Sequence, residues 1–123
     1  MQLSLQLYKE FVDGLVNIRY GILSNWVRTN SLPEVSENEK INQLLSHLDV
    51  EQREIIAAML DRARDNGIND VLAYINDEIA IHNLRLLRGE IELAFQPFDT
   101  ELYYDWLRRA DGDVWPDEEI QSR

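Results

Sequence analysis

The chain has 123 residues, 45% of them hydrophobic and none of them cysteine, which suits a single unit that buries a core without disulfides or thiolate zinc sites. Its formal charge of −11, from 23 acidic against 12 basic residues, repels nucleic-acid phosphates and anionic membranes, and no cluster of Lys and Arg overrides that field. Thiol chemistry is excluded, direct nucleic-acid binding is disfavoured, and no apolar run approaches the ~20 residues that cross a bilayer.

Met1 to Leu7 lack the basic start and apolar core of a signal peptide, so a cytoplasmic protein is expected. From Tyr8 onward apolar residues recur at helical spacing. Phe11, Val12, Leu15, Ile18, Ile22, Leu23 and Trp26 predict one long helix from about Leu3 to Thr29. Arg19 interrupts its apolar arc and needs a partner or a path to water. Gly14 and Gly21 fall on one polar stripe, where a backbone, a ligand or a second copy in a homodimer could approach closely.

Asn30 to Val35, with Pro33, predicts a loop. Ser36 and Glu39 have capping-box spacing ahead of a short helix carrying Ile41, Leu44, Leu45 and Leu48. Asp49 and Gln52 repeat that signal for a helix from Val50 to about Asn66, with Ile55, Ile56, Met59, Leu60 and Ala63 inward and Gly67 as its stop. Asn69 then caps a further helix from Asp70 to about Ile81. Leu84–Leu87 and Ile91–Phe95 around Arg88, Gly89 and Glu90 predict a β-hairpin with the glycine at positive φ; a helix continuing to Gly89 is the rival. Pro97 and Asp99 or Thr100 introduce a last helix to about Ala110, buried through Leu102, Tyr103, Trp106, Leu107 and Ala110, with Asp105 and Arg109 paired on its surface. The expected fold is therefore mainly α, with about five helices packed along a long N-terminal one and one small hairpin near residues 84–95. Residues 1–116 would form a single helical domain and 117–123 an acidic, flexible tail.

The chemistry available is thin. Glu78 and His82 lie one turn apart, and with Arg19 they would make a polar trio able to bind a small ligand or do acid–base work; the competing reading is an ordinary ion pair at a helix end. Asp111, Asp113 and Asp117 lack the spacing of a calcium loop, and no Gly-rich phosphate loop follows a strand, so neither metal nor cofactor is expected. Tyr104, Arg108, Asp113 and Trp115 are better placed, because aromatic and arginine side chains carry much of the energy of protein interfaces. Trp115 could equally tuck back over the core.

Phe11-Val12-Asp13-Gly14-Leu15, Gln52-Arg53-Glu54-Ile55 with Gly67-Ile68, and Tyr103-Tyr104-Asp105-Trp106 with Gly112-Asp113 and Trp115-Pro116 resemble a group of small, acidic, uncharacterised bacterial domains. The resemblance spans nearly the whole chain and implies a bacterial or phage setting, with no activity attached. The expectation is a non-enzymatic binding module, an inhibitor or immunity-type protein that holds a basic protein partner, with the Arg19, Glu78, His82 site as the alternative.

Overall fold

The computed structural model describes residues 2–29 and 31–119. Its elements in order are α1 (Gln2–Asn17), α2 (Ile22–Arg28), a 3-10 turn (Ser36–Asn38), α3 (Glu39–Ser46), α4 (Val50–His82), β1 (Leu87–Arg88), β2 (Ile91–Glu92), α5 (Leu102–Ala110) and α6 (Pro116–Glu119). The chain is mainly α, with five helices of seven residues or more among the described residues and one antiparallel hairpin. None of those helices is long and apolar enough to cross a membrane.

The long N-terminal helix of the sequence reading is corrected: it is broken between Asn17 and Ile22. Periodicity cannot tell one helix from two that share a phase, but Arg19 marks the fault. Once the helix stops, its guanidinium reaches the Ala110 carbonyl at 3.0 Å, an acceptor left over at the C-terminal end of α5. Gly21 then takes an extended conformation as the N-cap of α2, so Gly14 and Gly21 do not share a helical stripe.

A second correction concerns α4, which continues unbroken past Gly67, has 33 residues in all and absorbs both helices expected between 50 and 81. Asn83, at φ 62°, is the left-handed residue just beyond its last turn, and the Leu84 N–H folds back onto the Glu78 carbonyl. At the other end the capping box forms as expected, with Gln52 N–H donating to Asp49 Oδ1 and Asp49 N–H to Gln52 Oε1. The box expected from Ser36 and Glu39 does not form; Asn38 precedes α3 without a side-chain cap.

The chain divides into two compact units. Tyr20–Asn66 has a core of Val27, Leu32, Leu45 and Ala57, with Trp26, Leu48, Ile56 and Leu60 against it. Ile55 and Met59, expected inward, are 56% and 65% exposed, because the buried face of α4 runs through Ile56, Ala57 and Leu60 instead. Ile41 and Leu44 are exposed as well. Within this unit Arg28 bridges Glu54 and Asp61.

The other unit joins the chain up to Arg19 with that from Gly67 onward. Tyr8, Val12, Leu72, Leu102, Trp106 and Trp115 form its core, and α1 lies against α5. The hairpin forms around Gly89 at φ 61°, with Leu87 opposite Glu92 and Arg88 opposite Ile91. Its ladder is shorter than predicted, and Ala94 N–H ties it to the Ser4 carbonyl of α1. Asp117 and Glu118, expected in a loose tail, sit on α6 and pair with Lys9; residues 120–123 of that tail lie outside the described residues.

Candidate functional site

The site is built on α5. Glu101 gives this helix no side-chain cap; the buried Asn76 of α4 does so instead, its Oδ1 accepting the Leu102 N–H at 3.0 Å. At the far end Gly112, at φ 93°, closes the helix: Gly112 N–H donates to the Arg109 carbonyl and Asp113 N–H to the Arg108 carbonyl. That pair of bonds is the arrangement a left-handed glycine makes possible. It turns the chain back so that Asp113 faces Arg108 and Trp115 drops into the core.

Leu102, Asp105, Trp106 and Arg109 share one side of α5, at i, i+3, i+4 and i+7, and the first three are buried. The surface pair expected between Asp105 and Arg109 is thereby corrected. Asp105, 4% exposed, accepts the Tyr8 hydroxyl at Oδ2 and the Thr100 hydroxyl at Oδ1, both at 2.5 Å. Burial pushes its carboxyl above the ordinary value, with the Thr100 and Tyr8 hydroxyls pulling the other way. Burial and the bond to Asp105 raise the Tyr8 hydroxyl in turn. Arg109 instead forks onto Asp13, with Nε to Oδ1 at 2.8 Å and Nη2 to Oδ2 at 3.1 Å. It also donates to the Asp113 carbonyl and lies 4.8 Å over the Trp115 ring.

A cavity of about 190 Å³ opens beside these groups, with Thr100, Tyr104, Asp105, Arg108 and Trp115 among its lining residues. Three of the four partner-binding residues chosen from sequence thus line one cavity, and the fourth, Asp113, holds Arg108. Their roles differ. Tyr104 is 39% exposed and its hydroxyl accepts Arg108 Nη1 at 2.9 Å, with the guanidinium 5.7 Å over the ring. Arg108 Nε bonds the Asp113 carboxylate. Trp115 is 3% exposed, packed by Tyr8 and Phe98, and so forms part of the floor rather than a projecting anchor.

The second candidate set does not assemble. Glu78 accepts the Tyr74 hydroxyl at 2.9 Å and bonds His82, and these bonds hold its carboxyl below the usual range. His82 is largely exposed, an ordinary i, i+4 pairing at the end of α4. Arg19 goes to the Ala110 carbonyl and is not a partner of Glu78. Among the described residues no group of three or more His, Cys, Asp or Glu could hold a metal ion.

Tyr8, Thr100 and Asp105 form a unit that lies outside the candidate sets drawn from the sequence. One local signal was available: Asp105 falls between Leu102, Trp106 and Arg109 on a helical face, where an acid amid large apolar residues needs donors from elsewhere.

Residues 1–117 match the model of a family of unknown function (DUF6547). No curated protein and no solved structure matches the chain.

Proposed function

The chain belongs to that family, and from its charge and its α5 site we propose that it is a non-enzymatic module that binds a basic protein. It would act in the cytoplasm as an inhibitor or immunity-type protein in a bacterial or phage setting. The observation that carries the reading is the position of Asp105, a buried carboxylate whose partners among the described residues are neutral hydroxyls, on a cavity whose rim presents Tyr104 and Arg108. A chain of charge −11 adds a long-range attraction for a cationic surface, and attraction of that kind raises association rates more than it raises final affinity. The polar groups of the site also have structural partners already: Arg108 with Asp113, Arg109 with Asp13, and Asp105 with Tyr8 and Thr100. Such a paired constellation suits recognition better than proton transfer, which needs a base free to reach a substrate.

The test is affinity capture from the native host, followed by titration of the purified captured protein at two salt concentrations. The expected partner is basic, associates more weakly as salt rises, and loses about tenfold or more in affinity for Tyr104→Ala. A captured protein that is acidic, or whose binding ignores both salt and Tyr104→Ala, overturns the reading.

A further inference from the structure

We propose that the cavity beside α5 receives a lysine side chain of the basic partner, its ammonium pairing with the Asp105 carboxylate and its methylenes lying along Phe98, Tyr104 and Pro116. This rests on the binding-module reading above and names the group that the module recognises.

The charge balance of the site points to a cation. Asp105 is 4% exposed, and among the described residues its partners are the hydroxyls of Tyr8 and Thr100, neither of which carries charge. A buried carboxylate ordinarily has a cation beside it, since removing it from water is otherwise expensive. Two arginines line the same cavity, yet each is neutralised by a different acid, Arg108 by Asp113 and Arg109 by Asp13. With those pairs cancelled, the Asp105 carboxylate is left with no cation as a partner among the described residues. An incoming ammonium supplies the missing opposite charge.

The geometry favours lysine over arginine. Oδ1 of Asp105 already accepts from Thr100 and Oδ2 from Tyr8, so a planar guanidinium fork would have to compete with a hydroxyl at both oxygens. A compact ammonium with rotatable donors can use the lone pairs that remain. The volume of about 190 Å³ equals the liquid share of roughly six waters, room for one unbranched chain of five heavy atoms. Phe98, Tyr104, Val114 and Pro116 provide apolar wall for its methylenes.

The test is an NMR titration of ¹⁵N-labelled full chain with Nα-acetyl-lysine methylamide, following the Trp115 indole N–H and the Asp105 amide. The norleucine, arginine and glutamate analogues serve as the other arms. Saturable shifts with millimolar affinity are expected for lysine, about tenfold weaker binding for arginine, and none for norleucine or glutamate. Asp105→Asn should abolish the lysine shifts. If that variant fails to fold, Tyr104→Ala on the exposed rim should weaken them severalfold while leaving the amide spectrum dispersed.

Equal binding of lysine and norleucine, tighter binding of arginine or glutamate, lysine shifts that Tyr104→Ala leaves unchanged, or no lysine shifts at all would overturn the proposal. Should the captured partner bind wild type with its expected salt dependence while lysine gives no shifts, the cavity assignment fails and the binding-module reading stands. Lysine shifts with no basic partner captured would instead separate a cation site from that reading.

Discussion

The Tyr8 hydroxyl donates to Asp105 across 97 positions of sequence, at 2.5 Å and out of solvent. This bond fastens α1 to α5, and the Thr100 hydroxyl donates to the other carboxylate oxygen. Tyr8→Phe removes one of the two donors to a buried carboxylate and should destabilise the protein by ~1–3 kcal/mol in urea denaturation. A loss below ~0.5 kcal/mol would show that the bond contributes little in solution.

The same carboxylate sets a pH signature. The folded protein holds the Asp105 proton more tightly than the unfolded chain, whose aspartates titrate near ~3.9. Stability relative to Asp105→Asn is therefore greatest below that value, falls as pH rises through the raised folded value, and then levels off. Denaturation of both proteins between about pH 3 and pH 8 checks the sign. A difference that grows with pH would contradict the burial of this group.

Asn76→Ala should cost ~1–2 kcal/mol. Its Oδ1 is the acceptor for the first N–H of α5, and among the described residues no other side chain caps that end. Because α5 carries Tyr104 and Arg108, the variant should also broaden their amide signals, an effect that a purely global destabilisation would not confine to this helix.

Gly67→Ala should stabilise the protein by ~0.5–1 kcal/mol. The residue lies inside α4, a Cβ there meets no atom within 4 Å, and its φ is not in the left-handed region. A lowered melting temperature would show that α4 bends or opens at this position in solution.

Arg109→Lys is not conservative here. The guanidinium forks onto both Asp13 oxygens, donates to the Asp113 carbonyl and stacks on Trp115, and an ammonium, with its donors on one atom and no planar face, cannot reproduce the fork, the carbonyl bond and the stack together. A loss of ~1–2 kcal/mol is expected, with a red shift of tryptophan fluorescence as Trp115 gains water. Unchanged emission would argue that Trp115 keeps its place without Arg109.

Local chemistry made several elements readable. Asp49 with Gln52 starts a helix because each side chain answers the other's backbone N–H, and Gly89 allows the positive φ of a two-residue hairpin loop, so neither needs a distant partner. The Tyr104–Arg108 contact is of the same local kind, because residues four apart on a helix are neighbours. Gly67 misled for the complementary reason: glycine permits a stop without requiring one, and Asn83 supplies it sixteen residues later.

The sequence by itself determined a mainly helical, strongly acidic chain with a hairpin near its middle-to-late third, since period, capping and charge are properties of neighbouring residues. Tertiary structure alone decided where the first helix breaks, which side of α5 is buried, and that Asp105 lines the cavity while Trp115 forms part of its floor. Those outcomes depend on partners far away in sequence: Ala110 for Arg19, Asp13 for Arg109, and Tyr8 for Asp105. A buried polar group is stable only where such a partner arrives, and no local pattern records which distant residue that will be.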